Sequence, residues 1–242
     1  MTGHGEIRLD SKGAIEKALR LEGPAFDSLL LWAPRAGAAF TVIDSDDTLF
    51  RARLLELKEG SADIVIFEEV GKIDSSLEVI LLQALPEKER MELIIQKTTE
   101  LGVTAIIPFK SEKSISIGER DARQRKSHKW DEVALKAAKQ SRRPDIPQIL
   151  PFRSFKDTLT HGRGLKILLS ERPDAVGLKE FLRGKKDRTV TILVGPEGGF
   201  TEKEVEEATE AGFTPVSLGK RILRTETAAI VAVGIVGYEM GE

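Results

Sequence analysis

The sequence predicts an α/β protein in which a parallel sheet covered by helices makes up most of the chain and a small β-rich domain precedes it. Beyond Gly71, short apolar runs alternate with segments of helical periodicity, which is typical of a parallel sheet with covering helices. Before that point, short alternating runs are separated by turn-forming residues, which indicates β structure. We therefore expect two domains in the 242 residues, at 1–70 and 71–242.

The first domain is expected to contain four strands and one helix. The turn formers Pro34, Gly37, Asp46-Asp47 and Gly60 separate the strands, which we place at residues 29–32, 39–43, 50–57 and 64–67. The helix is placed at residues 14–21.

In the second domain, we expect strands at residues 79–82, 105–108, 166–169, 191–194 and 215–218. A helix precedes Gly102, since apolar positions recur at three- and four-residue steps from Met91 to Leu101. Thr201 and Glu204 have the spacing of a capping box, which predicts a helix that ends at Gly212. A last helix is expected at residues 225–238.

Composition removes several classes of function. The chain has no cysteine, which excludes disulfides, thiolate metal sites and a cysteine nucleophile. Its three histidines show no metal-binding spacing, so we expect no metal. No apolar run approaches the roughly 20 residues of a membrane span, and the first residues do not resemble a secretory signal. We expect a cytoplasmic protein that does not enter a membrane.

The charge is unevenly distributed. Residues 110–143 carry eleven basic and five acidic side chains, whereas the whole chain has a net charge of −2. A local basic field on an otherwise acidic protein is expected of a surface that contacts a nucleic-acid backbone. The alternative is a solvated helix face.

Ligands of open parallel sheets bind beyond the carboxyl ends of the strands, which directs attention to three loops. They read LSER at residues 169–172, GPEGGF at 195–200 and LGKRILRTET at 218–227. Neither a GxGxxG fingerprint nor a Walker A sequence is present, so the usual phosphate cradles are missing. The third loop combines apolar side chains suited to an adenine ring with Arg221, Arg224 and Glu226. A plain turn-rich connection is the alternative for the second loop.

Two sequence motifs are specific enough to indicate a protein family. GPEGGFTEKEVEEA at residues 195–208 is followed by SLGKRILRTETAAIVAV at 217–233. Together they resemble the signature of the RsmE-type branch of the SPOUT RNA methyltransferases. Segments 96–103, 111–114, 130–142 and 169–171 resemble the same family in the same order, so the resemblance covers essentially everything after Val70.

The resemblance implies a SPOUT-type parallel sheet with a deep C-terminal trefoil knot, a PUA-like β-barrel before it, and a homodimer. It also implies S-adenosyl-L-methionine as cofactor, held by the three loops. The cofactor-binding residues are then Leu169, Ser170, Glu171, Gly195, Pro196, Glu197, Gly198, Gly199, Leu218, Gly219, Ile222, Leu223, Arg224 and Thr227.

The implied activity is methylation of N3 of a uridine in 16S rRNA, within the small ribosomal subunit. This reaction needs no thiolate, unlike methylation of C5 of a pyrimidine, and so agrees with the absence of cysteine. Arg224 is expected to stabilise the uridine anion, and Glu197 or Glu226 to orient Arg224 or to accept the proton. The expected RNA contacts are Lys97, Lys110, Lys113, Arg142 and Arg143.

Three alternatives remain open from the sequence. A ribose 2′-O methyltransferase of the same superfamily would share the cofactor and the knot, but the Asn and Arg motif usual near its start is not found here. A non-catalytic RNA-binding protein would not need the apolar and arginine-rich third loop. A Rossmann-type oxidoreductase would need the missing glycine fingerprint.

Overall fold

A computed structural model describes residues 4–72, 77–86, 90–116, 118–119 and 129–241. The chain forms two compact units, one of Met1–Asp74 with Leu135–Pro147 and one of Ser75–Ala134 with Gln148–Glu242. The sequence-based division at residues 70 and 71 lies close to the first boundary. It differs for residues 135–147, which the sequence places in the second domain and which pack in the first unit.

The first unit is built on a four-stranded antiparallel sheet with the strand order β1-β4-β3-β2. Alternate residues of the strands, among them Phe40, Leu54 and Ile64, point into a common apolar core that also receives Ile146. The elements are β1 (Ala18–Glu22), α1 (Gly23–Leu31), β2 (Ala39–Ile43), β3 (Thr48–Lys58) and β4 (Ser61–Lys72).

Two local predictions for this unit are wrong. The expected helix at residues 14–21 is replaced by β1, which pairs antiparallel with β4 and buries Leu21. The expected strand at residues 29–32 is replaced by α1, which has Pro24 in its first turn, where the fixed φ of proline suits a helix. Phe26, Leu29 and Trp32 recur at three-residue steps, so one helical face enters the core.

Asp44 closes the turn between β2 and β3. Its carboxylate accepts backbone N–H groups from Gly13 at 3.0 Å, Asp46 at 2.8 Å and Thr48 at 2.9 Å. Burial would raise the pKa of Asp44, but these N–H donors outweigh it and hold the pKa below its ordinary value. The buried charge therefore serves the fold of the first unit.

The second unit contains a parallel sheet with the strand order β10-β12-β9-β11-β5-β6-β7, and β8 also pairs with β6. Five strands that the sequence predicts are present: β5 (Glu78–Ala84), β6 (Ala105–Lys110), β9 (Leu165–Leu169), β11 (Thr189–Val194) and β12 (Thr214–Ser217). Three two-residue strands were not expected: β7 (Gln148–Ile149), β8 (Arg153–Ser154) and β10 (Val176–Gly177). An α/β fold with a parallel sheet is confirmed.

Six helices are described in this part of the chain, and the three predicted ones are among them. They are α2 (Met91–Glu100), α3 (Trp130–Gln140), α4 (Phe155–Leu159), α5 (Leu178–Leu182), α6 (Glu202–Glu210) and α7 (Thr225–Met240). The capping box of α6 is formed, because Thr201 and Glu204 each accept the other's backbone N–H. None of the helices in the described residues is long and apolar enough to cross a bilayer.

Candidate active site

A cleft of about 670 Å³ lies beyond the carboxyl ends of β9, β11 and β12. These strands are adjacent in the order β12-β9-β11, so the loops that follow them meet at one edge of the sheet. The volume falls within the range of about 300–1,000 Å³ typical of small-molecule sites. The cleft therefore lies where the sequence places the ligand.

Most of the expected cofactor-binding residues line this cleft. They are Leu169, Ser170, Glu171, Gly195, Pro196, Glu197, Gly198, Gly199, Leu218, Gly219, Ile222, Leu223 and Arg224. Thr227 does not line it; this residue is exposed on α7. Glu226 does not line it either, although its neighbour Thr225 does.

The loop after β11 is held in shape by its own backbone and by one ring. The Gly199 N–H donates to the Pro196 carbonyl at 2.9 Å, and Gly199 has a φ of +65°, in the left-handed region that favours glycine. The Phe200 ring stacks on Phe109 with centroids 6.5 Å apart. A Cβ on Gly195 would lie 3.1 Å from the Phe200 ring, so glycine permits this close approach.

The loop after β6 forms hydrogen bonds that stabilise the turn after β11. Lys113 Nζ donates to the Gly198 carbonyl at 3.1 Å. The Glu112 N–H donates to Oε1 of Glu204 at 2.8 Å, and Glu204 belongs to the capping box of α6. The loop after β6 thus fixes both the turn and the start of the helix that follows it.

A buried hydrogen-bond chain connects β5, α7 and the loop after β11. Gln83 is fully buried, and its Nε2 donates to Thr225 Oγ1 at 3.1 Å. The Thr225 hydroxyl in turn donates to the Gly195 carbonyl at 2.7 Å. Sequence analysis did not identify either side chain, because the three residues are far apart in the chain.

Arg90 connects the two glutamates that the sequence assigns to catalysis. Its Nη1 lies 3.2 Å from Glu197 Oε1 and 3.4 Å from Glu226 Oε2. All three side chains are at most a quarter exposed, so solvent weakens these ion pairs only in part. The expectation that Glu197 or Glu226 orients Arg224 is not met, since both carboxylates face Arg90 instead.

Arg224 occupies the N-cap position of α7 and lines the cleft. It is exposed, and among the residues that the structure describes it has no ion-pair partner. Glu226 lies in the first turn of α7, where a negative charge complements the helix dipole. The guanidinium of Arg224 is therefore available to a ligand.

The expected RNA contacts in the second unit already have partners. Lys97 pairs with Glu100 at 2.9 Å, Lys113 donates to the Gly198 carbonyl, and Lys110 donates to the Ser114 carbonyl. Four further basic residues of the 110–143 segment lie outside the described residues: Arg120, Arg123, Arg125 and Lys126. A role of these lysines in RNA binding stays a prediction.

The two expected contacts in the first unit differ in exposure. Arg143 forms a two-pronged ion pair with Asp145, at 2.8 Å for the shorter contact, and its side chain is only 11% exposed. Arg142 is 66% exposed and lies 3.9 Å from Glu68. Arg142 is the better placed of the two to bind RNA.

The fold and the cleft define the class of protein. Residues 74–237 match the family model described as an RNA methyltransferase domain. The chain is 35% identical to the ribosomal RNA small subunit methyltransferase E of Synechocystis sp. over 202 residues, which cover 81% of this chain and 65% of that protein. It is 31% identical to the ribosomal RNA small subunit methyltransferase E of Buchnera aphidicola subsp. Schizaphis graminum, over 83% of this chain and 82% of that protein.

A solved structure extends the likeness to nearly the whole chain. The crystal structure of a ribosomal RNA small subunit methyltransferase E from Neisseria gonorrhoeae, bound to S-adenosyl methionine, has a TM-score of 0.68 and 31% identity, over 97% of both chains. The chain spans about two thirds of the length of the first curated relatives it matches. This protein belongs to the ribosomal RNA small subunit methyltransferase E family.

Proposed function

We propose that this protein transfers the methyl group of S-adenosyl-L-methionine to N3 of a uridine in 16S rRNA, in the cytoplasm and within the small ribosomal subunit. The cleft at the edge formed by β12, β9 and β11 is the observation that carries the proposal, because its three loops combine apolar walls with an exposed arginine. The family relation and the cofactor-bound relative from Neisseria gonorrhoeae support it.

The residues of the cleft suit S-adenosylmethionine. Leu169, Leu218, Ile222 and Leu223 offer an apolar lining for an adenine ring, and the carboxylate of Glu171 suits the positively charged end of the cofactor. The cleft has no phosphate cradle of the kind that dinucleotides need, and this cofactor carries no phosphate.

The reaction requires an acceptor for the N3 proton and stabilisation of the anion that its loss leaves on the uracil. When bound, S-adenosylmethionine supplies an electrophilic methyl group. The N3 proton of the uridine has to leave before its nitrogen can attack, and negative charge then spreads over the ring. We assign the stabilisation of that charge to Arg224, which lines the cleft and forms no ion pair with any residue that the structure describes.

Glu197 is the better placed of the two candidate proton acceptors. It lines the cleft, whereas Glu226 does not line it and pairs with Arg90, which also pairs with Glu197. Arg90 fixes the position of the Glu197 carboxylate, and a general base must lie within hydrogen-bond reach of the proton it removes. We assign Glu197 the proton and Glu226 the positioning of Arg90.

The finer features of the family extend the proposal. The chain passes from β9 to β11 on one side and then to β12 on the other side of β9, which is compatible with a trefoil knot at this edge. The antiparallel sheet of the first unit is the candidate for the PUA-like barrel. Helix α7 is apolar on most sides, and the neighbouring Ile222 and its own Tyr238 are 81% and 80% exposed, which favours a homodimer through this region.

The alternatives predict different behaviour towards ligands. A non-catalytic RNA-binding protein would bind RNA without the cofactor, and a ribose 2′-O methyltransferase would bind the cofactor but modify a sugar. Calorimetry tests the proposal at its first step: one S-adenosylmethionine site per subunit is expected, with no binding of NAD. Incubation with tritiated S-adenosylmethionine should then label 16S rRNA, and binding of NAD alone would contradict the proposal.

A further inference from the structure

The outward face of the first unit's sheet carries a buried arginine that forms no ion pair among the described residues. Arg51 lies on β3 and is 8% exposed. Its Nη1 donates to Thr41 Oγ1 at 2.8 Å, across the β2–β3 pair in which these two residues are opposite each other. Within the part of the chain that the structure describes, Arg51 makes no ion pair. A buried cation normally has an anionic partner.

A second arginine is held beside it. The Thr41 hydroxyl that accepts from Arg51 donates to the backbone carbonyl of Arg142 at 2.9 Å. Arg142 has a φ of +59°, a conformation that a residue with a side chain seldom adopts unless its surroundings hold it there. Burial and then the positive charge of Arg142 lower the pKa of Arg51 from its ordinary value. Thr41 thus connects the side chain of Arg51 to the backbone of Arg142, and the charge of Arg142 is close enough to act on Arg51.

Among the described residues, Glu68 is the carboxylate that acts on Arg51, and it balances only one of the two charges. Glu68 is opposite Arg51 across the β3–β4 pair, and its Oε1 lies 3.9 Å from Nη1 of Arg142, at the outer limit of an ion pair. Glu68 is 48% exposed and Arg142 is 66% exposed, so both side chains are free to rearrange. The cluster keeps an excess positive charge, which favours an incoming anion.

The same face offers a surface for a nucleobase. Arg53 follows Arg51 by two residues on β3 and therefore points to the same side of the sheet. Its guanidinium lies 5.3 Å from the centre of the Phe67 ring, which is 38% exposed. Aromatic rings and arginine planes on exposed surfaces stack against the bases of single-stranded RNA.

We propose that Arg51, Thr41 and Arg142 form a binding site for a phosphodiester group of single-stranded RNA, from which Glu68 withdraws as the phosphate enters. The adjoining Arg53 and Phe67 stack against a neighbouring base. The site rests on the proposed function, since it presumes an RNA substrate. Glu68 acts as the resident counter-ion of the free protein and competes with the phosphate.

Removing the charge of Arg142 and removing that of Glu68 should have opposite effects on RNA binding. Binding of a fluorescently labelled single-stranded oligoribonucleotide to the full chain is measured over a series of KCl concentrations. Arg142→Gln should weaken binding about two- to fivefold and reduce the salt slope by about 0.7, the value for one phosphate contact on a single strand. Glu68→Gln should tighten binding by a similar factor, which a folding defect would not produce. Lys58→Gln, the matched control, removes a cation of β3 that is paired with Asp63, and should change nothing.

The outcomes separate this site from the wider function. If the unaltered protein binds the oligoribonucleotide and all three variants bind as it does, the phosphate site is wrong and the RNA substrate stands. If the unaltered protein binds no RNA, both proposals fall. A second experiment compares the gain in thermal stability from inorganic phosphate with that from RNA, at matched phosphate concentration. Equal gains would assign the site to a small anion and overturn the inference.

Discussion

Nη1 of Arg90 lies 3.4 Å from Oε2 of Glu226, although the two residues are 136 positions apart in the chain. The same nitrogen lies 3.2 Å from Oε1 of Glu197. One guanidinium therefore joins the residue that precedes α2, the turn after β11 and the first turn of α7. Arg90, which does not line the cleft, therefore connects two of the segments that form or adjoin it.

Arg90→Gln should loosen this connection. The change removes the cation that lies between two carboxylates, so we expect a loss on the order of 1–2 kcal/mol in the free energy of unfolding. S-adenosylmethionine should also bind more weakly, because the turn that carries Glu197 loses its anchor. Urea unfolding and calorimetry measure the two effects. Arg163→Gln is the control, since it breaks the ion pair with Glu78 at a different place in the same unit.

Gly199 provides a test of backbone conformation in the cleft. Apart from its two neighbours in the chain, none of the described residues has an atom within 4 Å of a Cβ built here, so crowding does not explain the glycine. Its φ of +65° does, and a β-branched side chain there costs about 1–2 kcal/mol. Gly199→Val should lower stability and cofactor affinity, while Gly199→Asn should keep most of both, because asparagine tolerates this region. Equal losses in the two variants would contradict this explanation.

Asp44 should give the protein a pH-dependent stability. The pKa of its carboxyl is lower in the folded than in the unfolded chain, so its contribution is complete above the unfolded value of about 3.9 and is lost as the pH falls through the folded value. Asp44→Asn should therefore lower the free energy of unfolding by about 1–3 kcal/mol at pH 7. The gap to the unaltered protein should close below about pH 4. A gap that stays constant down to pH 2 would show that the charge of Asp44 has no part in it.

Arg224 should affect the rate more than the binding of the cofactor. If it stabilises charge that develops on the uracil, Arg224→Ala should reduce the single-turnover rate about a hundredfold to a thousandfold at saturating S-adenosylmethionine. Arg224→Lys should recover part of the rate, since it keeps the charge but loses the planar fork. Lys220→Ala removes a cation of the same loop that does not line the cleft, and serves as the control. A normal rate at saturation would exclude the catalytic role.

The periodic parts of the fold could be predicted from the sequence, and the ambiguous short runs could not. Helix α2 buries Met91, Ile94 and Ile95 at the expected steps. The leucines at 29–31 suit a strand or a helix equally well. Helix α1 forms there because Pro24 favours a helix start and the side chains from Phe26 to Trp32 bury one helical face. In β1, pairing with β4 outweighs any local preference for helix.

The candidate site shows the same limit. The three loops are continuous in sequence, so their residues could be identified from motifs and from the rule that ligands bind at the carboxyl edge of a parallel sheet. Arg90, Gln83 and Thr225 act through partners that are remote in the chain, and no spacing pattern reveals them. Arg142 and Arg143 are adjacent in the sequence, yet the first is exposed and the second is buried against Asp145, and no sequence pattern separates them.

The nucleoside produced in 16S rRNA tests the proposed function most directly. Unmodified 16S rRNA, free or in small subunits, is incubated with the protein and S-adenosylmethionine, digested to nucleosides and analysed by mass spectrometry, with the Arg224→Ala variant beside it. We expect N3-methyluridine as the new nucleoside, with much less from the variant. A 2′-O-methylated nucleoside, or no methylated product from either form of substrate, would contradict the assignment.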